Sequence, residues 1–189
     1  MLHFKKYFFA ILLLFSISVA SQNIAKDTPE TIQNSINYLI NQAQKDIENH
    51  AYFNAEDKYE DALQLAIDID NKKSIGIIYS KMGKLQYIFE EQDKAIKLLI
   101  KANKIQRDAE DNINLAETYK TLGNVYVSKK EYQQALNYFS SSKTLFQREQ
   151  LDNFVSEVLL NQGVTYIHLK EHDKAKIHLL EAIQIAKTT

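Results

Sequence analysis

Residues 119–145 read YKTLGNVYVSKKEYQQALNYFSSSKTL, and this stretch decides the fold because its spacing recurs along the chain. Glycine returns every 40 residues, at Gly83, Gly123 and Gly163. Alanine keeps the same interval, at Ala55, Ala95, Ala135 and Ala175. Self-similarity at a fixed period is the signature of a repeat array. We therefore interpret the chain as a series of 40-residue units.

The composition favours helices throughout these units. One proline and four glycines in 189 residues are too few for many strands joined by tight turns. Columns of small residues let helix axes approach closely, and columns of large residues fill the space beside them. The sequence therefore predicts an all-α fold, an α-solenoid of four helix-turn-helix repeats with about eight antiparallel helices. Their expected bounds are 29–49, 52–69, 73–89, 92–109, 113–129, 132–149, 153–169 and 172–187.

The ends of several helices carry recognisable signals. Thr28 precedes Pro29, which predicts an N-cap followed by proline at the first helical position. Asp-Asn pairs fall between units, where their side chains can cap exposed backbone groups at the next helix. These pairs are Asp70-Asn71, Asp111-Asn112 and Asp152-Asn153.

The motif Tyr119-x-x-Leu122-Gly123-x-x-Tyr126 resembles the tetratricopeptide repeat family. The resemblance covers essentially the whole mature chain, and it is specific in units two to four and weaker in the first unit. It implies stacked helical hairpins with a concave groove lined by the first helix of each unit. The 40-residue period exceeds the family's usual 34 and resembles its longer-helix variants. The turn inside each unit lacks the family's glycine, so a residue with positive φ would be costly there and the turn geometry is left open. The residues at this turn are His50, Glu90, Lys130 and Lys170.

The N-terminus has the pattern of a secretory signal. Lys5 and Lys6 precede an apolar run over residues 7–19, and small residues lead up to Ala20. The run is shorter than the roughly 20 residues of a spanning helix, so we predict cleavage and export to the periplasm or the medium. An uncleaved membrane anchor is the alternative. The expected organisation is signal peptide 1–20, leader 21–28 and an array at 29–189, with units 29–71, 72–112, 113–152 and 153–189.

The net charge limits the classes of partner that the chain can bind, and the cysteine content limits how it can be stabilised. Loss of residues 1–20 would remove two lysines and no acidic residue, which changes the net charge from −1 to −3. A mildly acidic chain has no basic excess with which to neutralise a phosphate backbone, so we expect no nucleic-acid partner. The chain has no cysteine, and its stability must therefore come from burial rather than disulfides.

The string His168-Leu169-Lys170-Glu171-His172 has the His-x-x-Glu-His pattern of inverted zinc peptidases. In those enzymes two histidines on one helix face bind zinc and the glutamate is the base. The repeat alignment puts Lys170 in a turn, so the two histidines belong to different helices. We therefore expect no metal site, no cofactor and no enzyme, and zinc peptidase is the least favoured hypothesis.

The tetratricopeptide resemblance points instead to binding of a protein or peptide. It implies that the concave groove includes Ser80, Lys84, Tyr87, Lys120, Asn124 and Asn161. Cations and amides of this kind can hold a carboxylate and fix its direction. The expected function is an exported scaffold or adaptor. The alternative is the sensor portion, or a truncated relative, of a bacterial signalling regulator.

The last helix carries an apolar stripe in columns that are mostly polar in the earlier units. The stripe consists of Ile177, Leu180 and Ile183. Terminal repeats normally present a polar outer face for solubility. We therefore predict that this helix docks on another molecule, and a homodimer through the last helix is the simplest case.

Overall fold

The computed structural model describes residues 28–188, so the signal peptide predicted for 1–20 and nearly all of the leader lie outside the described residues. Within residues 28–188 there are eight helices and no strand, which confirms the all-α prediction. The helices are α1 (Pro29–Glu48), α2 (Tyr52–Asp68), α3 (Lys72–Ile88), α4 (Gln92–Asp108), α5 (Asn112–Ser128), α6 (Tyr132–Arg148), α7 (Asp152–His168) and α8 (His172–Ala186). Among these helices no segment has the length and hydropathy that a membrane span requires.

The helices form two layers. Each helix packs mainly against its neighbours in sequence, so the chain folds as successive hairpins. In addition, α3 contacts α5 and α5 contacts α7, whereas the even-numbered helices make no contact of this extent with one another in the described part. The odd-numbered helices therefore form the closely packed inner layer of a curved array, and the even-numbered helices form the outer layer.

The core runs along the array between these layers. One cluster of fully buried residues joins the first two hairpins around Ile36, Tyr59 and Ile78. A second cluster extends through the remaining hairpins around Leu122 and Phe139. Burial of apolar surface of this kind is the main favourable term in folding, and here each hairpin buries its apolar face against the next one.

The small columns lie where helices approach most closely. The alanines at positions 55, 95, 135 and 175 are all at most 3% exposed. A Cβ atom built on Gly83 would lie 2.7 Å from Leu99 Cγ, and one on Gly163 would lie 2.6 Å from Leu179 Cδ2. The glycine column is therefore required because a large side chain of the partner helix occupies the space of a Cβ atom.

All seven turns between the described helices have one geometry. In the turn after α5, Lys130 N–H donates to Val127 O at 2.9 Å and Glu131 N–H donates to Tyr126 O at 2.9 Å. These are the two hydrogen bonds of a Schellman motif, and Glu131 is also the N-cap of α6. The left-handed position is a non-glycine residue in every case, with φ between 48° and 63°, so the glycine-free turns keep the left-handed geometry after all. These residues are His50, Asp70, Glu90, Glu110, Lys130, Gln150 and Lys170.

The predicted helix N-caps are confirmed in part. Thr28 caps α1, with Pro29 in the first turn, and Asn71 caps α3 by accepting from Ser74 N–H at 3.0 Å. Asp111 is the N-cap of α5 but its side chain accepts from the Asn114 amide instead. Asp152 lies inside α7, because the Schellman turn places Leu151 at the N-cap. The regular turn therefore decides where these helices begin, and it does so without an Asx cap.

Candidate binding groove

Three helices of the inner layer, α3, α5 and α7, carry the six residues that the sequence predicts for a groove. Ser80 of α3 is hydrogen-bonded to Thr118 of α5, with 2.9 Å between the hydroxyl oxygens. Thr118 also donates to the buried Gln106 of α4 at 2.7 Å. Ser80 therefore belongs to a polar connection between two units as well as to the surface.

Lys120 is engaged by the protein itself. Its Nζ lies 2.7 Å from Glu157 Oε2 and 3.1 Å from Glu117 Oε1, and its side chain is only 15% exposed. The ammonium group also lies over the ring of Phe154, 5.3 Å from the centroid, within the range of a cation–π contact. Lys120 therefore joins α5 to α7 and has little capacity left for a ligand.

Two further predicted groove residues also bridge units. Asn161 of α7 donates to Asn124 Oδ1 of α5 at 3.3 Å. Tyr87 of α3 lies with its hydroxyl 3.1 Å from Ser128 Oγ of α5, and its ring packs partly buried against the core. Both contacts are open to solvent on one side, so these groups can still face a bound chain.

A cleft opens on this surface between α3 and α5. It is lined by Ile77, Ser80, Lys81, Lys84, Asn114, Glu117 and Thr121. Burial lowers the pKa of Lys81, the charge of Lys84 lowers it further, and Glu117 acts in the opposite direction. The cleft therefore has two cations of α3 close enough together for the charge of one to act on the other.

Sequence reasoning selected Lys84 for the groove and missed Lys81. Lys81 lies three residues before Lys84 on the same helix. It is in register with Thr121 and Asn161 of the following units. Asn161 had been assigned to the groove, so the column itself was the signal that could have identified Lys81.

The two histidines of the His-x-x-Glu-His string lie on different helices. His168 is the last residue of α7 and His172 is the first residue of α8, as the repeat alignment predicted. His168 stacks on Tyr132, with 5.2 Å between the ring centroids. Within residues 28–188 no three His, Cys, Asp or Glu side chains are grouped so as to hold a metal ion.

The apolar stripe of α8 faces solvent. Ile177, Leu180 and Ile183 are 62%, 55% and 50% exposed. On the adjacent α7, Leu160, Val164 and Ile167 are also exposed. In the preceding unit, the equivalent positions on α5 include Lys120 and Val127, and these are half-buried because the following unit packs against them. The α7 residues therefore continue the stacking surface between units, with the α8 stripe beside them.

The fold and this inner surface define an α-solenoid of helical hairpins. Residues 114–188 match the tetratricopeptide repeat family, which confirms the resemblance seen in the sequence over this part of the chain. A comparison with curated protein sequences found no significant match.

Solved structures agree on the architecture. BtubC (BKLC) from P. vanneervenii superposes with a TM-score of 0.79 at 20% identity, over 90% of this chain and 69% of that chain. The apo form of RapI gives a TM-score of 0.72 at 18% identity, over 81% of this chain and 56% of that chain. Aspartyl phosphate phosphatase F from Bacillus subtilis gives 0.74 at 15% identity, over 88% and 44%. The matched part is thus about half of the latter two proteins, and these identities establish the fold alone.

Proposed function

We propose that the inner groove binds a protein or an extended peptide, so that the chain acts as a scaffold or adaptor. The observation that carries this proposal is the surface of α3, α5 and α7, where polar side chains and an open cleft follow one another across consecutive units. Repeat arrays use such extended concave surfaces for binding. Their fold typically serves recognition rather than catalysis.

A rigid groove of this kind suits an extended segment. The bridging contacts of Lys120 and of Asn124 with Asn161 hold the inner helices in register before any partner arrives. A partner would therefore meet a surface that is already organised, which reduces the entropy lost on binding. Backbone and side-chain groups of an extended chain can pair with the amides and lysines along the surface.

The proposal is tested by capture of partners with the tagged full chain, expressed in its own cell and crosslinked before purification. Lys84→Glu reverses a charge in the groove, and Lys104→Glu makes the same change on the exposed outer helix α4. We expect a partner that Lys84→Glu loses and Lys104→Glu retains. A partner lost equally in both variants, or in neither, would contradict groove binding.

Export forms a second part of the proposal, and the basis for it is the N-terminal pattern of Lys5, Lys6 and the apolar run over residues 7–19. Cell fractionation combined with the mass of the mature chain tests it directly. Cleavage after Ala20 gives a chain that starts at Ser21, outside the cytoplasm. An uncleaved chain in the membrane fraction would favour the anchor, and an intact cytoplasmic chain would contradict export.

Self-association is the second candidate function, favoured by the exposed stripe on α8. The occupant we infer is a second copy of the same face, because the opposite end of the array is mixed, with polar residues beside Tyr38, which is 63% exposed. There Ser35 and Lys45 stand at positions where the third unit buries Leu115 and Val125. Pairing α8 with α8 covers one apolar surface with another.

Light scattering of the full chain tests this pairing. We expect a dimer that Leu180→Asp converts to a monomer, while Ile100→Asp, the same column in the second unit, leaves the dimer intact. A monomer at high concentration would contradict this pairing.

The remaining hypothesis, the sensor portion of a signalling regulator, would be favoured instead by a partner that belongs to a phosphorelay.

A further inference from the structure

We infer that a cavity on the outer layer of the third unit binds a short, neutral saccharide. The cavity lies along the first half of α6, and Leu169 in the turn after α7 also lines it. Its volume of about 790 Å³ falls within the roughly 300–1,000 Å³ that is usual for small-ligand sites. Its lining residues are separate from those of the inner groove, so the inference goes beyond the proposed function.

The earlier units show what normally occupies this position. In the first unit Phe53 contacts Phe89, with 5.7 Å between the ring centroids. Forty residues later, in the same two columns, Asp93 accepts from Lys129 Nζ at 2.9 Å. Each pair joins the start of an outer helix to the turn that follows the next inner helix, so each pair bridges two units.

The third unit has no such bridge. Its residues in the same two columns are Gln133 and Leu169, and both line the cavity. A leucine side chain has no group that can pair with the amide of a glutamine. Within residues 28–188 the Gln133 amide has no hydrogen-bond partner. The space that a ring pair or an ion pair spans in the earlier units therefore remains open here.

Neutral hydrogen-bonding groups follow one another along the cavity. The amides of Gln133, Gln134 and Asn137 line it, and in the described part of the chain their side chains make no hydrogen bond. Ser141 donates to Asn137 O at 3.1 Å, and its oxygen can still accept. Each amide offers donors and an acceptor side by side. This combination matches the hydroxyl groups of a saccharide, since a hydroxyl both donates and accepts.

The lack of charge along α6 is particular to the third unit. Solvent-facing helix positions are ordinarily polar or charged, and the other three units each have two or three charged residues in the columns of Gln134, Asn137 and Ser141. The third unit instead has neutral groups at the positions that line the cavity. The residues of the other units in these columns are Asn54, Asp57 and Asp61, then Lys94, Lys97 and Lys101, and finally Lys174, Ile177 and Glu181.

The remaining lining residues disfavour other classes of ligand. Lys130 and Glu131 are adjacent in the chain and opposite in charge. An anionic ligand such as a nucleotide would therefore meet a carboxylate beside the lysine. An apolar ligand would cover the amides without pairing them, which costs free energy for each group left unsatisfied. A neutral ligand rich in hydroxyl groups has neither disadvantage.

Two tyrosines supply apolar contact in the cavity. The ring of Tyr132 stacks on His168, with 5.2 Å between the centroids, and the ring of Tyr138 stacks on Tyr126, with 5.3 Å between them. Both tyrosines are half-buried, so these contacts hold the rings in place before a ligand arrives. Rings that are already ordered lose little freedom on binding. The C–H groups of a sugar ring can pack against them while its hydroxyls pair with the amides.

An NMR titration of the ¹⁵N-labelled full chain tests the site. The neutral probes are maltotriose, cellotriose and tri-N-acetylchitotriose, and the comparison probes are trigalacturonate and uridine. We expect at least one neutral trisaccharide to shift the side-chain amide signals of Gln133, Gln134 and Asn137 until they saturate. Trigalacturonate and uridine should bind more weakly than that trisaccharide.

Rebuilding the bridge of the second unit gives the sharpest variant. Gln133→Asp combined with Leu169→Lys reproduces the pair formed by Asp93 and Lys129 and should fill the cavity. We expect it to weaken the effective trisaccharide about tenfold or more, since both the space and an amide are lost. Gln147→Asp introduces the same carboxylate on α6 outside the cavity and should leave the affinity unchanged.

Two single variants complete the test. Asn137→Ala should weaken the trisaccharide about fivefold, the loss expected for one hydrogen bond. Lys84→Glu, in the inner groove, should have no effect on it, so the two sites can fail separately. The saccharide site would be overturned if none of the three neutral probes gave saturable shifts. Unchanged affinity in both cavity variants, or tighter binding of trigalacturonate or uridine, would overturn it as well.

Discussion

The ring of Phe139 lies directly against the backbone of Gly123, so that a Cβ atom at residue 123 would overlap it. Leu99 stands in the same relation to Gly83, and Leu179 to Gly163. In the second, third and fourth hairpins the glycine of the inner helix faces a large residue sixteen positions later on the outer helix, and the first hairpin has Ala43 at this position. This pair sets the distance between the two helices and explains why the glycine returns every 40 residues.

Replacing Gly123 by alanine sets two effects against each other. Alanine is favoured over glycine inside a helix by about 1 kcal/mol. Overpacking of a well-filled core costs about 1–3 kcal/mol, and here the added methyl group meets an aromatic ring rather than a flexible chain end. We expect Gly123→Ala to lower the free energy of unfolding by about 1 kcal/mol, as measured by chemical denaturation.

A compensating variant separates packing from propensity. Phe139→Leu shortens the opposing side chain, so Gly123→Ala should be less harmful in that background than in the parent chain. The exposed Ser141→Ala of α6 should change the stability little. A stabilising Gly123→Ala in the parent chain would mean that helix propensity outweighs the contact with Phe139.

Lys120 should matter for stability more than for binding. Lys120→Ala removes its ion pairs with Glu117 and Glu157 and its contact with the ring of Phe154. Because the side chain is largely buried, we expect a loss of about 1–3 kcal/mol, measured by urea denaturation. Lys120→Met keeps the aliphatic packing and should lose less.

The comparison for Lys120 is an exposed pair. Lys94 lies 3.5 Å from Glu91, with both side chains more than half exposed. Lys94→Ala should cost less than about 1 kcal/mol, since solvent screens such pairs. Equal losses for the two alanine variants would show that Lys120 has no special structural role, and it could then be restored to the list of ligand contacts.

The architecture followed from the sequence because its cause is periodic. Gly123, Ala135 and Phe139 occupy columns whose residue sizes are dictated by neighbouring helices, and such columns can be aligned within one chain. The predicted helix bounds agree with the observed ones to within one residue for the same reason. Turn geometry was harder to predict, since the left-handed residue at Lys130 is imposed by the two packed helices rather than by its own preference.

The site was less accessible to sequence reasoning because it depends on pairing between side chains. The repeat alignment identifies Lys120 and Lys84, in two different columns, equally as inner-surface cations. Only the structure distinguishes Lys120, which is held by two glutamates, from Lys84, which has no partner within residues 28–188. Identical residue types on the inner helices of neighbouring units can thus have different roles, depending on what the next helix supplies.

The lowered pKa of Lys81 predicts a dependence of stability on pH. A lysine whose pKa is lower in the folded than in the unfolded state binds fewer protons when folded, over the range between the two values. The free energy of unfolding should therefore rise with pH as the usual lysine pKa of 10.5 is approached from below. Lys81→Met removes this contribution.

We expect Lys81→Met to be more stable than the parent chain at pH 7, with a difference that shrinks as the pH is raised toward 10. Thermal unfolding of both chains across this range measures it, with Lys104→Met as the matched control on the outer layer. A difference that grows with pH would reverse the sign of the effect and contradict the desolvation of Lys81.

The seven turns offer a test of local strain. Lys130 adopts φ of 63° between α5 and α6, a conformation that costs a non-glycine residue about 1–2 kcal/mol. Glycine has no such penalty, though its unfolded state is more flexible by about 0.5–1 kcal/mol. Lys130→Gly should therefore stabilise the chain by about 0.5–1 kcal/mol, as judged by urea denaturation.

Lys130→Val should destabilise the chain, because a β-branched residue is least tolerant of positive φ. The neighbouring Glu131 has φ of −89° and gains nothing from the change, so Glu131→Gly should be neutral or destabilising. A stabilising Glu131→Gly, or a neutral Lys130→Val, would mean that the turn relaxes freely and that the helices on either side do not impose its geometry.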